Sequence, residues 1–222
     1  SLKQDQTKDY GLTMKNRFFA PIFLILFAIS YTVMSFDQVM SLDPHWFSTI
    51  FGVYCFAGLF YTTLTLTTLI AITLVKSGKL SDLINENHIH DLAKFMFAFT
   101  VFWAYIGFSQ YMLIWYANLP EETGYYLKRM SNGWLAVSVF LLVGKFFVPF
   151  FALLPRGRKR SLNYLFGVGC WMLFMNWVDM MWMVQPEFYP KGPRLGIFEI
   201  TITLGFIGLF GLAVSRFFAK NN

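Results

Sequence analysis

The sequence predicts an all-α membrane protein, a polytopic transmembrane bundle of about six helices. Of the 222 residues, 56% are hydrophobic and only 14% are charged, whereas a soluble domain has nearer a quarter of its residues charged. The apolar residues are gathered in runs of roughly twenty, the length at which an α-helix crosses a hydrocarbon layer of about 30 Å. Because a chain in lipid must satisfy its backbone hydrogen bonds internally, each run indicates a helix.

The clearest span follows the charged residues Asp91 and Lys94. No acidic or basic residue occurs from 95 to 119, and Trp115 and Tyr116 near the end of this run are typical of the membrane–water interface. A proline follows at position 120, and proline ends a helix because it lacks a backbone donor. We therefore predict one membrane crossing here.

The other apolar runs predict five further spans in the same way. In chain order, the six predicted spans cover residues 18–36, 46–75, 95–119, 134–154, 162–184 and 195–219. Residues 1–17 are polar and basic. We interpret them as a solvated arm or linker in front of a membrane domain over 18–219.

The distribution of lysine and arginine predicts the orientation of the chain. The connections on one side of the membrane hold 12 of these residues and those on the other side hold 4. The poorer side consists of the loops 37–45, 118–133 and 185–194. The positive-inside rule places these loops outside and both termini in the cytoplasm. We attribute the net charge of +6 to membrane topology and contact with lipid headgroups. We expect no nucleic-acid partner, because no basic patch with interleaved aromatic residues is visible.

Ionisable side chains at membrane depth are costly, so they are the first candidates for function. On the outer side, Asp179 and Glu199 lie at nearly the same predicted depth, and Asn176 lies one helical turn from Asp179. Asp37 closes the first span on the same side. The sequence leaves two interpretations open. One is a shared outer site that accepts protons or binds a ligand, and the other is a set of residues that fix helix ends through hydrogen bonds.

On the inner side, His88, His90, Asp91 and Lys94 form a titratable cluster. Asp91 and Lys94 are three residues apart and can pair on one helix face, and Asp91 is well placed near a helix N-terminus. A histidine beside a carboxylate suits proton uptake near neutral pH. The alternative is a solvated helix cap with surface histidines.

Lys145 lies near the middle of the fourth span and is the most deeply placed charge. It needs a counter-ion, a cavity or the loss of its charge, and Asp179 or a backbone carbonyl is the predicted partner. The sequence leaves two roles for Lys145 open. One is an ion pair that stabilises the bundle, and the other is a position on a proton path. The threonines of the second span are predicted to donate back to their own helix, in preference to lining a wet path.

The sequence offers few ligands for a metal or a haem. Cys55 and Cys170 lie in separate apolar runs, and none of the three histidines lies deep in a span. Haem and iron–sulfur sites require paired histidines or clustered cysteines. We therefore predict that this chain binds no metal, haem or other cofactor directly.

Several long motifs resemble a known family. In chain order they are SLDPHWFSTIFG over 41–52, HDLAKFMFAFT over 90–100, FWAY over 102–105, FSQY over 108–111 and IWYANLPEE over 114–122. They are similar to a large membrane subunit of alternative complex III, a bacterial quinol:electron-acceptor oxidoreductase, and within it to the ActF-like subunit of the NrfD/polysulfide-reductase membrane-subunit family. Ala93 and Lys145 depart from the pattern, since the family leads us to expect glycine and histidine there.

The resemblance implies a role, partners and a location. The chain would be an integral membrane subunit of a respiratory complex that oxidises quinol and reduces an acceptor such as cytochrome c, in the bacterial inner membrane. It would contribute quinol contacts, a proton path or both, beside a homologous membrane subunit and outer subunits that carry haem c and iron–sulfur clusters. Relatives carry further helices upstream, so we expect this chain to be the C-terminal part of a longer subunit.

Two other functions stay open at this stage. One is a structural membrane anchor for redox subunits outside the membrane. The other is a secondary transporter or proton channel, although no internal repeat of the kind found in transporters is visible.

Overall fold

A computed structural model of the protein describes residues 10–78 and 84–220. These residues form α-helices joined by turns, and no β-strand occurs among them, so the predicted all-α fold is confirmed. The helices are, in chain order, α1 Tyr10–Gln38, α2 Phe51–Lys76, α3 Glu86–Ala117, α4 Pro120–Arg129, α5 Trp134–Leu153, α6 Leu162–Phe188 and α7 Ile197–Lys220.

Five of the described helices are long and apolar enough to cross a membrane, namely α1, α2, α3, α5 and α7. Helix α6 has 27 residues, about 40 Å of helix at 1.5 Å per residue. It is not among these five, and Asn176 and Asp179 interrupt its apolar sequence. The chain is a multi-pass membrane protein, and α6 brings the number of membrane-length helices in the described part to the predicted six.

Helices α1 and α3 begin earlier than the apolar runs predict. Residues 10–17 already belong to α1, and residues 1–9 of the predicted arm lie outside the described part of the chain, as do residues 79–83. Helix α3 begins at Glu86, because the side chain of Asn85 accepts hydrogen bonds from the next backbone N–H groups. Such a cap satisfies donors that a helix start leaves unpaired.

The predicted loop 118–133 contains a helix that the apolar pattern does not indicate. Helix α4 begins at Pro120, which suits the first turn because the missing N–H is not needed there. Its first turn is acidic and its last turn is basic, which matches the helix dipole. Helix α4 has 10 residues, too few to cross the membrane, and it buries Tyr125 and Arg129.

The three loops predicted to face outward meet at one end of the bundle, which we call the outer end. Lys128 of α4 donates to Asp43 at 2.9 Å and to Glu187 at 2.6 Å, so one ammonium group joins all three loops. Burial lowers the pKa of Lys128, but the hydrogen bonds to Glu187 and Asp43 outweigh it and raise the pKa above its ordinary value. Lys128 is therefore charged at physiological pH.

Arg129 stabilises the last turn of α6, which continues past the predicted end at residue 184 to Phe188. Pro186 has no N–H, so the carbonyl of Trp182, four residues earlier, loses its helical donor. The guanidinium of Arg129 donates to this carbonyl at 3.2 Å and to that of Met183 at 2.8 Å. In lipid such a carbonyl has no water to replace the lost bond, so a buried arginine takes the place of the missing donor.

The middle of the bundle is built on one face of α2, packed against α3 and α6. The buried positions of α2 recur every three or four residues, as on one face of a helix, and include Tyr54, Ala57, Tyr61, Thr65, Thr68 and Ile72. Thr65 and Thr68 donate to carbonyls one turn earlier at 2.7 Å, which confirms the predicted bonding of these hydroxyls to their own helix. Helix α7 has no buried residue and lies at the edge.

Replacing Arg129 with leucine is expected to destabilise the fold, because three backbone carbonyls would lose a charged donor. A hydrogen bond to a charged group contributes about 1.5–3 kcal/mol, so the thermal unfolding midpoint in detergent should fall clearly. Arg194→Leu is the matched control, since Arg194 is exposed at the same end of the bundle. Equal midpoints for the two variants would contradict the role given to Arg129.

The predicted orientation is tested with fusions to the C-terminus. The 12-to-4 distribution of basic residues leads us to expect fluorescence from green fluorescent protein fused there, because it matures in the cytoplasm. Alkaline phosphatase at the same position should be inactive, because it requires export. The opposite pattern would place the outer end in the cytoplasm.

Candidate functional site

Lys145 of α5 is the centre of the candidate site, with an exposed fraction of 0%. Its ammonium group donates to Asp179 at 2.6 Å and to Asn176 at 2.7 Å. Asn176 lies three residues before Asp179, so one face of α6 presents both acceptors to α5. Of the two partners predicted for Lys145, the structure shows Asp179.

The carboxylate of Asp179 has a second donor, on a third helix. The hydroxyl of Tyr54 on α2 donates to the other carboxylate oxygen at 2.6 Å, and Asp179 is 2% exposed. Three helices therefore meet through one carboxylate. We call Tyr54, Lys145, Asn176 and Asp179 the buried charge cluster.

Aromatic rings complete the surroundings of Lys145. Its Nζ lies 4.4 Å from the ring centre of Trp103 and 5.1 Å from that of Tyr61, distances that suit cation–π attraction. The Tyr61 hydroxyl and the Trp103 indole nitrogen are buried and have no hydrogen-bond partner among the described residues. Lys145 thus lies in an apolar setting. Among the described residues that contact it, Asp179 is the only anionic one.

The backbone of α5 departs from a regular α-helix around Lys145. Residues Leu142–Phe147 form a π-helical segment, and the N–H of Val148 accordingly donates to the carbonyl of Val143, five residues earlier. Segments of this kind inside α-helices are frequent at functional sites. Lys145 lies within this segment and reaches α6.

Close packing holds this segment against α6. Pro149 has no N–H for the next carbonyl in the π-helical register, that of Gly144. The indole of Trp171 donates to that carbonyl at 2.8 Å instead. A Cβ at Gly144 would lie 2.6 Å from Cε of Met175, so a larger residue would require the Met175 side chain to shift.

The buried charge cluster can hold a proton in more than one place. Burying an ion pair costs several kcal/mol per ion, and hydrogen bonds to both partners offset that cost. The phenol of Tyr54, the carboxylate of Asp179 and the ammonium of Lys145 are joined by two bonds of 2.6 Å, within the reach needed for proton transfer. The geometry therefore suits proton exchange as well as structural pairing.

None of the described hydrogen bonds joins Glu199 or Asp37 to this cluster. Glu199 is in the first turn of α7, where it accepts a hydrogen bond from the N–H of Gly196 at 2.9 Å. Asp37 is exposed near the end of α1. The described hydrogen bonds of Asp179, Glu199 and Asp37 have no partner in common, and a shared outer site stays a prediction.

The inner cluster has the geometry of an exposed helix start. Lys94 pairs with Asp91 at 2.7 Å, and both side chains are more than half exposed. Asp91 lies in the second turn of α3 and does not cap it, whereas Nδ1 of His88 accepts the N–H of Asn85 at 3.3 Å as part of the cap. These contacts favour a solvated cap, and proton uptake at His90, Asp91 and Lys94 stays a prediction.

Sequence reasoning missed Tyr54 and Trp103, which complete the site. Aromatic residues in apolar runs usually serve packing or lipid contact, so neither of them stood out. One signal was available for Tyr54. It shares its face of α2 with Ala57, Thr65 and Thr68, and small or hydroxyl side chains on one face of a membrane helix indicate contact with other helices.

No group of three His, Cys, Asp or Glu side chains suited to a metal ion occurs among residues 10–78 and 84–220. The buried charge cluster itself pairs its one carboxylate with an ammonium group, which leaves no vacancy for a cation. That the chain binds no metal or haem stays a prediction.

Lys145→Met is expected to destabilise the protein by about 3–5 kcal/mol, because Asp179 would keep a buried charge without a counter-ion. Lys145→Met combined with Asp179→Leu removes both charges and should recover most of this loss, since apolar residues often replace a buried pair at little cost. The thermal unfolding midpoint of the purified protein measures both effects.

Lys94→Met is the matched control for this pair of variants. It breaks the exposed contact with Asp91 and should leave the midpoint unchanged, because exposed ion pairs contribute little. If the double variant is as unstable as Lys145→Met alone, the unpaired charge is not the reason for the loss.

Comparison with known proteins adds no family or relative. No family model and no curated protein sequence matches this chain. A multi-pass helical membrane protein with a buried lysine–aspartate–tyrosine cluster is therefore the description that the structure supports.

Proposed function

We propose that this chain is an integral membrane subunit of a respiratory quinol:electron-acceptor oxidoreductase of the alternative complex III type. Two observations support the proposal. The five motifs quoted above resemble its ActF-like, NrfD-related subunit, and the described helices form a multi-pass bundle with charges at its centre. The chain lies in the bacterial inner membrane beside a homologous membrane subunit. Subunits with haem c and iron–sulfur clusters dock at the outer end.

The buried charge cluster is the observation that carries the proposal. A lysine with an exposed fraction of 0% lies 2.6 Å from an aspartate that is itself buried. Charges at this depth in a membrane protein are typical of sites that handle protons, ions or substrates. Oxidation of a quinol to a quinone releases two electrons and two protons. The electrons go to iron–sulfur or haem groups of the partner subunits, and the protons need acceptors in the membrane domain.

Asp179 serves as the proton acceptor in this proposal and Lys145 as its counter-charge. In the resting pair, the negative and positive charges balance. A proton that reaches Asp179 through the Tyr54 hydroxyl leaves Lys145 with an unbalanced charge, which favours the transfer of a proton from its ammonium group to water. Asn176 holds the amine in place at 2.7 Å during this exchange. A proton can thus pass the core without leaving a net charge there.

The inner half of the proton path starts at His90, Asp91 and Lys94. These residues lie at the cytoplasmic start of α3, whereas Lys145 lies near the middle of α5. Waters must connect the two clusters, because no single hydrogen bond spans several helical turns. Glu199 and Asp37 have no described hydrogen bond to the buried charge cluster, so they are left out of this core path.

A structural anchor for outer redox subunits is the second candidate function. The outer end favours it, because Lys128 joins Asp43 and Glu187 into a braced surface. Helix α7 favours it as well, since none of its residues is buried and its apolar surface is left for lipid or partner helices. An anchor would give the buried charge cluster no part in turnover.

Turnover of the purified complex with Asp179→Asn tests the proposal. Asparagine keeps the shape of the side chain but cannot take up the proton. Lys145→Gln with Asp179→Asn is the second variant, because it leaves no unpaired charge and so separates chemistry from folding. We expect assembly with normal haem and iron–sulfur content, and a fall in quinol oxidation of roughly tenfold or more, as for the loss of an acid–base group.

The control neutralises an exposed ion pair away from the cluster. Arg160 and Glu86 lie 4.0 Å apart at the other end of the bundle, and Arg160→Gln with Glu86→Gln should leave turnover unchanged. If the neutral Lys145–Asp179 variant keeps both turnover and proton release per electron, the anchor function replaces the proposed one. Purification without any haem or iron–sulfur subunit would overturn both functions.

A further inference from the structure

A cavity of about 450 Å³ lies beside the buried charge cluster, between α3 and α5 and against α4. Its volume falls in the range of roughly 300–1,000 Å³ that small-molecule sites have. Its walls are mostly apolar and aromatic and include Tyr54, Trp103, Phe108, Tyr111, Tyr126 and Trp182. Such walls suit a flat ring, which can stack on them or meet them edge to face.

The wall contains two buried residues with polar side chains, Trp103 and Gln110. The indole N–H of Trp103 has no acceptor among the described residues. Gln110 lines the same cavity and is 3% exposed. Buried polar groups are nearly always hydrogen-bonded. An indole donor and an amide that both donates and accepts would be satisfied by hydroxyl or carbonyl oxygens of a ligand.

The wall favours a neutral ligand over a charged one. Arg129 is the only charged residue among the described residues that line the cavity. Its guanidinium already donates to three backbone carbonyls and lies 3.3 Å from the ring centre of Tyr125. A phosphate or carboxylate would therefore find no free cation in this wall.

The mouth of the cavity faces the lipid. Phe108 on α3 and Leu135, Val139 and Leu142 on α5 line the cavity and are each at least half exposed. Both helices are membrane spans, so these apolar side chains contact acyl chains. A ligand with an apolar tail can enter sideways from the bilayer and leave its tail between the two helices.

We infer that the cavity binds a neutral lipid whose flat ring carries hydroxyl or carbonyl oxygens, with these oxygens at Gln110 and Trp103. Tyr54 belongs to the same wall and donates to Asp179 at 2.6 Å. The ring therefore lies one side chain away from the buried charge cluster. This deepens the proposed function. Naming the lipid a quinol rests on that function, whereas the cavity and the unpaired indole of Trp103 are independent of it.

The probe for this site is 2-heptyl-4-hydroxyquinoline N-oxide, a fluorescent ring compound with an alkyl tail. We expect saturable quenching of its fluorescence by the purified wild-type protein in lipid–detergent micelles. Gln110→Leu keeps the size of the side chain and removes its polar atoms. It should weaken binding about tenfold, the effect of losing one hydrogen bond. Trp103→Phe should weaken binding by a similar factor, because it removes the indole donor. Unchanged affinity in both variants would overturn the placement of the ligand oxygens at Gln110 and Trp103.

A second pair of variants tests the cavity itself. Val139→Trp fills the mouth and should abolish saturable quenching. Val148→Trp makes the same change on the same helix, at an exposed position outside the wall, and should bind the probe as the wild type does. Equal affinities for the two variants, at equal unfolding midpoints, would overturn the inference.

Failure of this inference can be told from failure of the proposed function. If the probe binds as expected but the purified complex does not oxidise quinol, the cavity stands as a site for a ring lipid and the proposed function falls. If Val139→Trp keeps wild-type quinol oxidation and wild-type probe affinity, the inference about the cavity falls and the function stands.

Discussion

The contact between Lys145 and Asp179 is the interaction on which the centre of the bundle depends. Neither charge can remain in an apolar interior alone, because water is absent and the effective dielectric constant is low. Each one therefore needs the other at hydrogen-bond distance, and the structure provides 2.6 Å. Tyr54 and Asn176 supply the remaining bonds. As a result, α2, α5 and α6 have to meet at one depth, and a shift of any one of them would leave a buried charge unpaired.

Backbone carbonyls that lose their helical donor to a proline also need a hydrogen-bond partner inside the bundle. Pro186 leaves a carbonyl of α6 without its donor, and Arg129 donates to that carbonyl. Pro149 of α5 likewise leaves the carbonyl of Gly144 without its donor, and the indole of Trp171 donates to that carbonyl. In water these carbonyls would be solvated, but between membrane helices a side chain must serve them. Two polar side chains far apart in the fold thus have the same physical role.

The buried charge cluster, the cavity and the outer end are connected through shared residues. Tyr54 belongs both to the cluster and to the cavity wall, while Arg129 and Trp182 belong both to the wall and to the contacts that support the last turn of α6. A ligand ring in the cavity would lie next to the buried charge cluster on one side and next to the outer end on the other. This arrangement is what a membrane subunit needs if proton release and electron transfer to outer subunits accompany the same ligand.

The sequence by itself determined the fold class and the spans, and it named Asp179 as one of two possible partners of Lys145. Hydropathy is a property of each segment alone, and a deep lysine has very few possible counter-ions in so apolar a chain. Only the tertiary structure decided that Tyr54 completes the cluster and that a cavity opens next to it. Helix ends depend on caps and on donors from other helices, as at Arg129, and a cavity is a space between helices. Such features depend on which faces meet, and the linear pattern of apolar and polar residues does not specify this.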